Sequence, residues 1–185
     1  IQYPVVEFLG GITLVLFYYI YGLSIAAVGF SLFFLGLIIA TFTDWQNRII
    51  PDEVSLGLIP VGIIFSYFNP LIKEVYGSSS LLVSLSGLFC GAGMIYMTGV
   101  LGKIAFKKEA MGFGDVKFMA MIGAFLGWKL VILSYFISPF FALIYGVYRK
   151  IRYKDNYLPY GPFLALGSIF VFIFRDKLLE FFFYL

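Results

Sequence analysis

Runs of about 20 apolar residues recur along the chain and are separated by short polar clusters. Each run is long enough to cross the roughly 30 Å hydrocarbon core of a bilayer as an α-helix. The runs lack the every-second-residue alternation of outer-membrane barrel strands. With 62% hydrophobic and 12% charged residues among 185, the chain carries more apolar surface than a soluble domain buries. The sequence therefore predicts an all-α integral membrane protein.

Seven apolar segments can be recognised, so we predict a polytopic bundle of about six to seven transmembrane helices. Residues 69–80 between the third and fourth segments read as a polar turn. Gly87 and Gly91 predict that a neighbouring helix approaches the fourth segment closely. The segments run approximately from 5 to 21, 23 to 43, 51 to 68, 81 to 102, 115 to 127, 130 to 148, and 160 to the C-terminus.

The distribution of Lys and Arg predicts how the bundle is oriented. Eight of these residues fall on the side that holds the loops near residues 44–53, 103–114 and 149–158, and four fall on the other side. Cytoplasmic loops carry the excess of positive charge, so the first side is expected to face the cytoplasm. Asp44 and Asp115 both lie on that side.

The chain has one cysteine, Cys90, and no histidine. This excludes a disulfide within the chain and zinc sites built from histidines or from several cysteines. Acid–base chemistry must then fall to Asp, Glu, Lys or Tyr, and we expect neither a metal nor a cofactor. A net charge of +3, no basic tract and no nucleotide-binding glycine loop argue against a nucleic-acid partner.

The carboxylate of Asp115 needs a physical explanation, because it begins a short apolar segment. With Trp128 at the opposite interface, Asp115 lies roughly 10 Å inside the cytoplasmic face. A carboxylate at that depth is costly unless it is paired, protonated or hydrated. Gly112 and Gly114 are expected to permit unusual backbone dihedrals and close approach of another chain. The simplest alternative is that Asp115 is the N-cap of its helix.

Asp44 follows the second apolar segment, and its simplest interpretation is an interfacial loop residue facing Arg48. The sharper hypothesis is that Asp44 and Asp115 share one cavity and one proton. Two carboxylates at close range repel each other, so ionisation of both is energetically unfavourable. Aspartyl proteases use such a pair. Lys117 either extends to the interface or faces a carboxylate in a hydrated cavity. Asp52 and Glu53 read as helix-start acids.

Four blocks of the sequence together resemble the type IV prepilin peptidases, a family of intramembrane aspartyl proteases with a Gly-x-Gly-Asp signature. The likeness covers essentially the whole chain, and the blocks occur in the family's order. They are Tyr3-Pro4-Val5-Val6-Glu7, then Asp44-Trp45-Gln46-Asn47-Arg48-Ile49-Ile50-Pro51-Asp52, then Glu109-Ala110-Met111-Gly112-Phe113-Gly114-Asp115-Val116-Lys117, and Tyr160-Gly161-Pro162-Phe163-Leu164-Ala165-Leu166-Gly167.

The resemblance implies that Asp44 and Asp115 are the catalytic pair of one transmembrane peptidase domain spanning residues 1–185. It implies a substrate, a type IV prepilin or a pseudopilin of type II secretion, cut after a glycine that ends a short basic leader at the cytoplasmic face of the inner membrane. Bacterial members commonly carry a preceding cytoplasmic segment with paired cysteines that is linked to N-methylation. Residues 1–185 show no such segment, so we expect cleavage without methylation.

Three other interpretations also fit these residues. An archaeal-type preflagellin peptidase would share the aspartate pair. A presenilin-like protease is disfavoured by Thr43, because those families usually have tyrosine before the first aspartate. A proton- or ion-coupled transporter would also place acids within the membrane. A protease needs Asp44 and Asp115 in one cavity at one side, whereas a transport path needs polar lining through to both sides.

Overall fold

The computed structural model describes residues 2–77, 80–107, 111–153 and 158–183. Within these ranges every regular element is an α-helix, which confirms the all-α prediction. Glu109 and Ala110, which begin the glycine-bearing block, lie outside the described residues, as do Lys108 and Lys154 of the basic loops. The helices are α1 (Gln2–Tyr21), α2 (Ile25–Asn47), α3 (Asp52–Phe65), α4 (Pro70–Tyr76), α5 (Ser80–Phe106), α6 (Phe113–Leu126), α7 (Trp128–Tyr153) and α8 (Gly161–Phe183).

Consecutive long helices run antiparallel, so the bundle has two distinct ends. One end, called here the site end, holds the C-terminal end of α2 and the N-terminal ends of α3, α6 and α8. Contacts between Gly161 and Asp44 and between Lys117 and Asp52 join these helix ends. At the opposite end, called the far end, the Glu74 carboxylate in α4 pairs with Arg175 in α8 at 3.2 Å.

The described helices form a multi-pass membrane protein. Four of them, α1, α2, α5 and α7, are long and apolar enough to cross a bilayer, and the bent pair α3–α4 makes a fifth if it is counted as one span. The number is below the expected six to seven because α6 has 14 residues, about 21 Å of helix, and α8 carries three consecutive charged residues from 175 to 177.

The polar turn predicted for residues 69–80 is wrong in part, because it contains α4. Asn69 caps this helix, since its Oδ1 accepts a hydrogen bond from the Leu71 N–H at 3.0 Å, and Pro70 occupies the first turn. Proline there is preorganised for a helix, and asparagine before it is a preferred cap. The buried Asn69 Nδ2 also donates to the Phe125 carbonyl at 2.8 Å, which ties α4 to the end of α6.

The predicted close approach at Gly87 and Gly91 is confirmed, and the neighbouring element is α6 with the turn that follows it. A Cβ on Gly87 would lie 2.7 Å from the Cα of Gly127, and one on Gly91 would lie 3.0 Å from the carbonyl carbon of Met119. Ser84 reinforces the contact by donating its hydroxyl to the Ala124 carbonyl at 2.7 Å. The backbones of α5 and α6 therefore touch, which fixes the height and rotation of α6.

Candidate active site

Asp44 lies in the last turn of α2 and its side chain is buried, since the residue is only 6% exposed. Its Oδ2 accepts a hydrogen bond from the Gly161 N–H at 2.9 Å, at the first residue of α8. Its backbone carbonyl accepts from Arg48, whose φ of 59° ends the helix in the left-handed region. The interpretation of Asp44 as an interfacial loop residue is therefore wrong, because α2 continues past it and α8 covers it.

Asp115 is the third residue of α6, which begins at Phe113 rather than at 115. Its carboxylate Oδ2 accepts a hydrogen bond from the Gly112 N–H at 3.2 Å. The N-cap alternative for Asp115 is wrong, because Gly112 occupies that position. Carboxylates in a first turn still benefit from the free N–H groups and the positive end of the helix dipole. Asp115 is partly exposed, so solvent reaches it from the site end.

The two predicted supporting glycines have ordinary backbone conformations. Gly112 has φ −76° and ψ 149°, and Gly114 is an α6 residue without a positive φ. A Cβ on Gly114 would meet Ile50 at 3.5 Å, which is normal van der Waals distance. The expectation of unusual dihedrals at these positions is therefore wrong. The lack of a side chain at Gly112 instead leaves open space beside Asp115, because a Cβ there would lie 3.5 Å from its Oδ2.

Asp44 and Asp115 line one cavity of about 320 Å³ at the site end. All five predicted site residues border it, so the structure brings the whole predicted set together. The remaining lining residues are Arg48, Ile49, Ile50, Asp52 and Phe113.

Lys117 faces a carboxylate, as one of its two predicted interpretations held, but that carboxylate belongs to Asp52. The Lys117 Nζ lies 2.7 Å and 2.8 Å from the two carboxylate oxygens of Asp52. The side chain of Lys117 is 21% exposed and that of Asp52 is 57% exposed. This ion pair joins α6 to the start of α3 across the wall of the cavity.

Two residues of the site, Asp52 and Gly161, were not among the site residues predicted from the sequence. Asp52 is a first-turn acid of α3, as predicted, and it is also the partner of Lys117. Gly161 lies in the fourth sequence block, and a Cβ there would lie 2.8 Å from the Asp44 Oδ2. Membership of the fourth block is the sequence feature that could have indicated a role for Gly161. No local sequence feature indicates that Asp52 pairs with a lysine 65 residues away.

The model of the type IV leader peptidase family matches residues 31–147, which include both aspartates and more than half of the chain. The chain belongs to this family. The resemblance recognised in the four sequence blocks is thereby confirmed.

Relatives of the chain include several bacterial proteins described as prepilin leader peptidase/N-methyltransferase. The protein from Pectobacterium carotovorum is 29% identical over 92% of this chain and 60% of its own length. Those from Neisseria gonorrhoeae and Legionella pneumophila are each 28% identical, over 96% and 97% of this chain and 59% and 61% of their own lengths. No solved structure gives a significant match. The expected lack of methylation by residues 1–185 stays a prediction.

The chain thus spans about 60% of the length of these relatives. Its arrangement nevertheless contains the chemical parts that peptide hydrolysis by carboxylates requires. Two carboxylates from different helices, Asp44 and Asp115, border one cavity, and each accepts a hydrogen bond from a backbone N–H. One of them in the ionised form can accept a proton from water, and the other in the protonated form can donate a hydrogen bond to a carbonyl oxygen.

Proposed function

We propose that this chain is a membrane aspartic endopeptidase that removes the short basic leader of type IV prepilins or pseudopilins, cutting after a glycine. The observation that carries the proposal is the shared cavity of Asp44 and Asp115 in a chain of the type IV leader peptidase family. Asp44 and Asp115 are the catalytic pair in this proposal. Gly112 and Gly114 leave room for the substrate backbone beside Asp115, and Lys117 supplies positive charge at the same cavity.

The proposed reaction begins with the two carboxyl groups sharing one proton. The ionised carboxylate removes a proton from a water molecule, and the water oxygen bonds to the carbonyl carbon of the scissile peptide. The protonated carboxyl donates its hydrogen bond to the carbonyl oxygen and stabilises the charge that develops there. The tetrahedral intermediate then expels the amine, which takes up a proton, and the new carboxyl group remains on the leader.

The proposed location is the inner membrane, with the cavity facing the cytoplasm. Among the described residues, Arg48, Lys103, Lys107 and the basic C-terminal end of α7 lie at the site end. The far end carries Lys73, Lys129, Arg175 and Lys177. The positive-inside rule therefore supports a cytoplasmic site end.

A transporter is less well supported, because most buried serines away from the cavity are already satisfied by backbone groups. Their hydroxyls donate to backbone carbonyls, which is the usual way in which a membrane helix accommodates a serine without lining a path. The matched prepilin peptidases favour a prepilin substrate over an archaeal preflagellin. The serines are Ser55, Ser66, Ser84, Ser134, Ser138 and Ser168.

The test is cleavage of a purified prepilin whose leader ends in glycine by the detergent-solubilised chain. We expect Asp44→Asn and Asp115→Asn each to lower the cleavage rate at least about 100-fold, because each removes one half of the acid–base pair. Asp176→Asn is the matched control, since this exposed aspartate lies at the far end of α8. If either cavity variant cleaved the substrate at nearly the wild-type rate, the assignment of the pair would be refuted.

A further inference from the structure

We propose that Asp52 is a positioning residue that holds the Lys117 ammonium away from the catalytic pair. The inference rests on the proposed function and concerns the same cavity. It starts from the observation that three carboxylates, Asp44, Asp52 and Asp115, border the cavity, while Lys117 contacts both oxygens of Asp52.

The geometry of Asp52 suits it to hold a lysine. It is the first residue of α3, directly after Pro51, and α3 packs against α6. A carboxylate at a helix start is stabilised by the positive end of the helix dipole. The stem of Lys117 is mostly covered, and its ammonium also lies 5.2 Å from the ring centroid of Phe113. The ammonium is therefore held between an anion on α3 and an aromatic ring on α6.

Loss of Asp52 would leave the Lys117 ammonium in a cavity whose other two carboxylates are Asp44 and Asp115. A largely covered cation requires a counter-charge, and Asp44 and Asp115 are the acidic residues that remain among the described residues lining the cavity. An ammonium paired with either one favours its ionised form. The pair then loses its shared proton and, with it, the group that polarises the scissile carbonyl. Arg48, the C-cap of α2, is the other basic residue among the described residues that line the cavity.

This role predicts a specific relation between variants. Asp52→Asn releases the lysine, which then inhibits the catalytic pair. Lys117→Met instead removes the positive charge from the cavity and, with it, a modest contribution to activity. In the double variant no ammonium remains to inhibit, so the double variant is more active than Asp52→Asn alone. An ion pair that only fastens α3 to α6 would also recover in the double variant, because that variant no longer carries an unpaired covered cation. In that case kcat would fall and recover in step with the melting temperature, whereas the proposed role changes kcat in variants that melt like the wild type.

The experiment measures kcat and KM for prepilin cleavage by wild type, Asp52→Asn, Lys117→Met, the double variant and Asp52→Glu. We expect kcat to fall at least about tenfold in Asp52→Asn with KM within about twofold, and to recover at least about fivefold in the double variant. Asp52→Glu keeps the anion and retains most of the activity. Glu53→Gln is the matched control, because it removes the neighbouring exposed first-turn acid of α3.

A double variant no more active than Asp52→Asn would overturn the inference, as would loss of activity in Glu53→Gln equal to that in Asp52→Asn. Thermal melting of each variant separates loss of fold from loss of chemistry. If Asp52→Asn unfolds, Asp52→Ser repeats the comparison with a residue that starts helices well. A wild-type chain that cleaves no prepilin refutes the proposed function, whereas an active wild type without recovery in the double variant refutes this inference alone.

Discussion

Gly123→Ala tests whether contact between the backbones of α5 and α6 sets the position of the catalytic pair. A Cβ at residue 123 would lie 3.0 Å from the Leu88 backbone nitrogen and closer still to the carbonyl of Gly87. Both neighbours are main chain, so neither can rotate away. The methyl group can be accommodated only if the two helices separate.

The required separation can be worked out from the contact distances. Carbon atoms pack best at about 3.5–4.0 Å, so α6 must move roughly 1 Å away from α5 at this crossing. Overpacking of this kind costs about 1–3 kcal/mol of stability. The same helix carries Asp115 in its first turn, and a displacement of about 1 Å at a reacting group can cost about 100-fold in rate.

The assay compares thermal melting and prepilin cleavage for wild type, Gly123→Ala and Gly93→Ala. Gly93 lies on α5 with open space around its Cα, so alanine there controls for the change in residue type. We expect Gly123→Ala to melt earlier and cleave more slowly, and Gly93→Ala to match wild type in both. Equal melting and equal cleavage for the two alanine variants would refute the packing argument.

Two further predictions concern the cavity and the orientation of the bundle. Gly161→Ala is expected to lower cleavage at least about tenfold, because its methyl group would lie 2.8 Å from the Asp44 Oδ2 and displace that carboxylate; wild-type activity would contradict this. In a Cys90→Ser background in intact cells, a membrane-impermeant maleimide is expected to label Lys73→Cys directly and Lys103→Cys only after permeabilisation. The reverse labelling would place the cavity outside the cytoplasm.

The sequence predicted those features that depend on local composition and on spacing along one helix. The apolar runs predicted the long helices, and Gly87 with Gly91 predicted that another helix packs closely against α5, which is α6 in the structure. The α4 helix was missed because Asn69-Pro70 was read as a turn, although asparagine followed by proline also starts helices. These two residues alone do not decide between a turn and a helix start. The contact of the buried Asn69 side chain with α6 decides in favour of the helix.

The shared cavity of Asp44 and Asp115 was predicted from their side of the membrane, and the structure brings them to the same cavity. The covering of Asp44 by Gly161 and the pairing of Lys117 with Asp52 were not predicted. Both contacts join helices that are distant in sequence. Their formation depends on how far each helix is rotated about its axis, which hydrophobicity patterns leave undetermined when nearly every face is apolar.

The contact between α5 and α6 also limits how the cavity can change shape. Glycine backbones in contact, reinforced by the hydrogen bond from Ser84 to the Ala124 carbonyl, leave no layer of side chains that could slide. We therefore expect Asp115 to move together with α5. An adjustment that brings the two carboxylates to a bound peptide is then expected at the end of α2 and the start of α8, which are linked by the hydrogen bond from Gly161 to Asp44.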